Sequence, residues 1–171
     1  TLEDFSYGGM AGRYQRKEDA FNSKGEKLNL WDVCKDVYRD RDGNESLQES
    51  MWAYVADIQR DFAARVAWAA GDAPETCDHA PGLTIREGLD VSVPAGTTLT
   101  LHADMTNEDN TGSELSWRIY KDASSACAEA VELKTDGDTA NVVIPAGAKS
   151  GEQIHLLAKA QANGAHRRVH Y

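Results

Sequence analysis

The stretch LTLHADMTNEDNTGSELSWRIY, residues 99–120, decides how this chain folds. Leu99, Leu101 and Ala103, then Leu115, Trp117 and Ile119, recur at every second position. That spacing turns one face of a β-strand to a core and the other to water. Between the two runs lies NEDNTG, whose residues tolerate tight turns. The stretch therefore predicts two antiparallel strands, with Trp117 pointing inward and Tyr120 outward.

The same period runs through the rest of the C-terminal half: Leu89-Val91-Val93, Val131-Leu133, Val142-Ile144 and Ile154-Leu156-Ala158. PAGTT, TDGDT and PAGAKSGE separate these runs as turns, the rhythm of an antiparallel β-sandwich. A last strand in RRVHY is expected to pair with LLAKA across Asn163-Gly164. Upstream of Pro81 the period changes. Leu47, Met51, Tyr54, Val55, Ile58, Phe62, Val66 and Ala69 predict an amphipathic helix over 46–70. Ser46 and Glu49 have capping-box spacing at its start, and Gly71 supplies a stop. Residues 1–45 read as irregular, with a short helix in LNLWDVCKDVY. The expected class is α+β, a helical segment over residues 1–81 packed on a sandwich over 82–171.

With 41% apolar and 27% charged residues among 171, the composition is that of a folded chain. Its net charge is -10, and the only basic run is His166-Arg167-Arg168, which argues against a nucleic-acid partner. No 18-residue apolar run suggests a membrane partner. A start at Thr1 suits a mature or excised piece of a secreted or periplasmic protein. Cys34, Cys77 and Cys127 form no CxxC pair; one disulfide with a free thiol and three free thiols both remain open.

Several segments resemble the cellulose-binding, nucleoside-hydrolase-like family. They are SYGGMAGRY, RDFAARVAW, CDHAP, the SELSWRIY strand, PAGAKSGEQIH, and the terminal NG followed by RRV. The chain is similar to the helical end of the family's hydrolase-like domain plus its C-terminal immunoglobulin-like domain. That resemblance implies carbohydrate binding or an accessory role on cellulose-like polysaccharide, without catalysis by this chain alone. The alternative is the C-terminal portion of a calcium-dependent nucleoside-hydrolase-like glycosidase, with an upstream hydrolase-like domain as partner. A structural interaction module is a third reading. The family's calcium-binding aspartate cluster, DxDxxxDD-like, has no counterpart in this sequence.

Asp61 sits one helical turn before Arg65 and between Tyr54 and Trp68 at heptad distance. An ordinary ion pair is one reading; the resemblance implies another, that Asp61 is a late aspartate completing a calcium site. Asp104, Asp109 and Glu114, with Asn107, Glu108 and Asn110, offer oxygens for calcium in one turn, although the EF-hand spacing is missing. Trp52 and Tyr120 are the candidate sugar contacts, because sugar rings stack on exposed aromatic faces. His155 is expected to pack on the preceding helix. Ser124-Ser125 lacks a GxSxG turn and Cys127 a visible base, so no nucleophile is assigned.

Overall fold

The computed structural model describes residues 13–34, 36–39, 43–46, 54–71 and 78–171. The chain divides into two compact units, Thr1–Ile58 and Gln59–Tyr171. The division falls between Ile58 and Gln59. In the first unit β1 (Tyr14–Arg16) pairs antiparallel with β2 (Trp31–Val33), and β3 (Tyr38–Arg39) with β4 (Glu45–Ser46). The intervening loop is tied by Asn22, whose Oδ1 accepts from the backbone of Lys24 and Glu26. Arg13 and Asp36 close the ribbon's open end with a two-point ion pair at 2.9 and 3.1 Å. The short helix expected in LNLWDVCKDVY is instead strand at Trp31–Val33, where tryptophan and valine favour the extended backbone.

The helix α1 spans Val55–Ala69. Ser46, expected to open the helix, lies in β4, and Glu49, the other half of the expected box, lies outside the described residues. Gly71 does stop it, at φ 103°, a left-handed conformation that costs glycine little.

The second unit carries two antiparallel sheets. Strands β5 (Gly82–Ile85), β6 (Thr98–Thr106), β8 (Glu132–Asp136) and β9 (Thr139–Val143) form one, in the order β5-β6-β9-β8. Strands β7 (Ser113–Ile119), β10 (Leu156–Ala162) and β11 (Val169–His170) form the other, in the order β11-β10-β7. The described chain is therefore α+β, one helix with several antiparallel sheets. Alternation does what it predicts: Leu101, Ala140, Val142 and Ile144 make a buried cluster, and Trp117 and Leu156 of the second sheet pack against it. Val142 is only 1% exposed, a burial worth about 1.5–3 kcal/mol.

One alternating run is not a strand. Leu89 is 89% exposed, and Leu89-Val91-Val93 passes outside the sheets. The strand that begins this half is β5, where Leu83 and Ile85 pair with Met105 and Ala103. Its start is held by Pro81, which is fully buried.

Candidate functional site

The polar centre of the second unit is built where α1, the 78–81 segment and the two loops around Asn107–Gly112 and Asn163–Arg168 meet. On the part of α1 within this unit the inward face is Asp61, Ala64 and Trp68, at spacings of three and four; Ala64 is buried. Phe62, expected in the buried stripe, is 67% exposed, and Val66 is exposed with it. This corrects the expected orientation. Ala64 lets the helix approach closely, while its two large neighbours point to solvent.

Arg168 explains that choice of face. Its residue is 6% exposed, and its Nη2 and Nε donate to Asp61 Oδ1 at 2.6 and 3.1 Å. Its Nη1 donates to the Asp78 carbonyl at 3.0 Å. The guanidinium also stacks over the Trp68 ring at 4.7 Å, an attraction that strengthens as water is excluded. Arg65 Nε donates to the other oxygen, Asp61 Oδ2, at 2.6 Å, as the four-residue spacing anticipates. One carboxylate thus serves two guanidinium groups. Arg65 holds its carboxyl below the usual range, and Arg168 adds to the effect against the opposing influence of burial.

Three histidines repeat one device: a carboxylate takes both the backbone N–H and the ring Nδ1 of the same residue. Asp109 holds His79 this way at 2.6 and 2.6 Å. Asp78 holds His166 at 2.5 and 2.7 Å, and Glu87 holds His102 at 2.8 and 2.6 Å. An ionised carboxylate only accepts, so each Nδ1 carries the proton. The His79 ring lies 5.6 Å from Trp68, which joins the pairs into one line from Asp61 through Arg168, Trp68 and His79 to Asp109. Gly164 makes room for this: a Cβ there would lie 2.6 Å from Asp78 Oδ1. The carboxylate, guanidinium and Nδ1 groups of this assembly are turned to one another, while the Trp68 Nε1–H is buried with no hydrogen-bond partner among the described residues. The HRR run is used in the same way, with His166 on Asp78 and Arg168 on Asp61.

The other candidates are dispersed. Asp104 pairs with Arg86 at 2.5 Å, Asp109 is held by His79, and Glu114 is exposed on β7. Among the described residues no three His, Cys, Asp or Glu side chains gather as a metal site. The two guanidinium groups on Asp61 also oppose a divalent cation there, so these residues do not assemble calcium's six to eight oxygens. Trp52 lies outside the described residues. Tyr120 is half-buried at the end of β7, with the Arg118 guanidinium 5.6 Å over its ring. His155 is half-buried and its backbone N–H donates to Ser124 Oγ at 2.8 Å; the ring against the helix tryptophan belongs to His79. Cys34 and Cys127 are free thiols, and Cys77 lies outside the described residues.

Burial pushes the Asp78 carboxyl upward, but hydrogen bonds from His166 outweigh it and the net direction is down, as for Asp61. A carboxyl lowered from 3.8 contributes stability that is present above that pH and is lost as pH falls through the folded value. Thermal melts against pH should therefore drop steeply below about pH 4. Asp78→Asn should flatten that fall. An unchanged slope in the variant would remove Asp78 from the account.

No family model matches the chain, and no curated protein matches it. Among solved structures it is similar to a nucleoside hydrolase-related hypothetical protein from Saccharophagus degradans that is associated with carbohydrate metabolism. The TM-score is 0.69 at 23% identity. The match covers 98% of this chain and 41% of that one, so this chain spans about two fifths of that structure's length.

Proposed function

We propose that this chain is a carbohydrate-binding or accessory module that takes cellulose-like oligosaccharide, without catalysing its breakdown. In this reading the two-sheet unit is an immunoglobulin-like sandwich, joined to the helical end of a hydrolase-like domain and working in the periplasm or outside the cell. The supporting observation is the fold likeness over 98% of the chain to a protein described as associated with carbohydrate metabolism. Tyr120 beside Arg118 supplies an aromatic ring and a planar donor on one strand end, the pairing that sugar hydroxyls and ring faces use. Calorimetric titration with soluble cello-oligosaccharides tests it. Binding heat is expected, reduced at least tenfold in affinity by Tyr120→Ala and kept in Asp61→Asn. No heat with any cello-oligosaccharide would sink the reading.

A specific observation favours a second reading, the C-terminal portion of a nucleoside-hydrolase-like glycosidase. Phe62 and Val66 stand exposed one turn apart on α1, a face that a partner domain would cover. Phe62→Ser with Val66→Ser should then leave the isolated chain's melting temperature unchanged while abolishing its association with a hydrolase-like domain added in trans. Calcium belongs to this reading only, as an ion held chiefly by that other domain. A calcium-induced rise in melting temperature of this chain alone would place the ion here instead.

A further inference from the structure

We propose that Asn163-Gly164 is a self-modifying site, at which the Gly164 nitrogen closes on the Asn163 side chain and turns the asparagine into aspartate and isoaspartate. The chemistry needs only water. The Gly164 N–H gives up its proton and its nitrogen bonds to Asn163 Cγ, while the Cγ–Nδ2 bond breaks and ammonia leaves with that proton. Water then opens the cyclic succinimide at one carbonyl to give aspartate, or at the other to give isoaspartate. Closure within one chain is fast where the two groups are already adjacent. Glycine favours it most, because it has no side chain to obstruct the nitrogen.

The turn fixes its surroundings and leaves both reacting groups loose. Ala162 closes it, its N–H donating to the Arg168 carbonyl at 2.9 Å. Inside, the Asn163 N–H donates to the Gly112 carbonyl and the Arg167 N–H to the Gly164 carbonyl, each at 3.1 Å. The His166 N–H donates to Asp78 Oδ2 at 2.5 Å, and the Ala165 N–H faces the same carboxylate. Among the described residues the Gly164 N–H has no such acceptor. Asn163 is exposed, and its amide only lies beside Gly112, with Nδ2 3.3 Å from where a Cβ there would stand. Other asparagines are tied down: Asn22 by two backbone N–H groups and Glu26, Asn107 by the Gly112 carbonyl and the Asp109 N–H, Asn141 by Thr100. Asn163 alone precedes a glycine.

The polar centre itself keeps the reactive pair in the sequence. A Cβ at Gly164 would lie 2.6 Å from Asp78 Oδ1, so the contact that orients His166 excludes the side chain that would slow the reaction. Isoaspartate routes the main chain through the side-chain carbon and adds a methylene to a turn closed at both ends. His166 then leaves Asp78, or Arg168 shifts from Asp61. Aspartate keeps the backbone length and adds a negative charge next to the glycine that Asp78 abuts, which works against two ionised carboxylates there. Both products loosen the hold of this turn on Asp78 and α1 as the protein ages.

The test is incubation of the whole chain at mildly alkaline pH, followed by peptide mapping and by labelling of isoaspartate with an isoaspartyl methyltransferase and S-adenosylmethionine. Conversion at Asn163 should run at least about tenfold faster than at any other asparagine. It should quicken with pH, because the nitrogen must lose its proton. Asn163→Gln should abolish the label, since glutamine would have to close a larger and slower ring. Conversion first at another asparagine, or no label on the Asn163 peptide, would overturn the site. Melting curves read the consequence: the aged chain should gain a second, lower transition that the aged Asn163→Gln variant lacks. A chain modified at Asn163 that melts like fresh protein would overturn the link to His166 and Arg168. Gly164→Ala should lower the melting temperature in the native background and much less in Asp78→Ala; equal falls would overturn the reason given for the glycine.

Discussion

Arg168→Met should cost the fold about 2–3 kcal/mol, with a melting temperature lower by roughly 5–10 °C. Breaking a fully buried ion pair costs about 3–5 kcal/mol because one charge stays behind without its partner. The loss here is smaller. The Asp61 side chain is 36% exposed and keeps Arg65, so the orphaned charge is partly solvated and partly paired. Methionine retains the apolar stem against Trp68 but loses the stack and the bond to the Asp78 carbonyl. In a double-mutant cycle, Asp61→Asn should cost much less in the Arg168→Met background than alone. Additive losses would mean that the two residues do not act together, and the helix would need another anchor.

Leu101→Ala should cost about 2–5 kcal/mol, whereas Leu89→Ala should stay within about 0.5 kcal/mol. Both leucines belong to alternating runs and look alike in sequence. Leu101 is 6% exposed, in the cluster with Val142 and Ile144, and its truncation leaves a cavity between the sheets. Leu89 has no core to leave. Chemical denaturation of the two variants reads the difference directly, and equal losses would put Leu89 in a core that the structure does not show.

These two residues mark how far the sequence was legible. Alternation found β6, β7, β9 and β10, because there one face meets a core and the other meets water. It failed at Leu89-Val91-Val93, since period two reports an amphipathic backbone and not whether a neighbouring strand is available to pair with it. The four-residue spacing found Asp61–Arg65, as local contacts usually can be found. It could not find Asp61–Arg168 or Asp78–His166, separated by 107 and 88 residues. The helix face was misjudged for the same reason: counting apolar side chains favours Phe62 and Val66, while the long-range partner of Asp61 selects the opposite side. The terminal RRV motif was quoted for its likeness, and its second arginine turns out to be the anchor. A signal was present in the Asp78-His79 dipeptide beside Pro81, but metal spacings among histidines cannot reveal histidine–carboxylate pairs. Tyr120 was expected as an outward strand residue, but it follows the end of β7, half-buried ahead of a short turn, and alternation cannot tell where a strand stops. Trp31 was read as helical and lies in a strand.

Carbohydrate recognition is the claim on which the functional account stands. Affinity electrophoresis in native gels, cast with and without soluble cellulose derivative, tests it in one experiment. The account predicts that the chain is retarded by polysaccharide relative to a non-binding protein of similar charge. Identical mobility in every gel would contradict it.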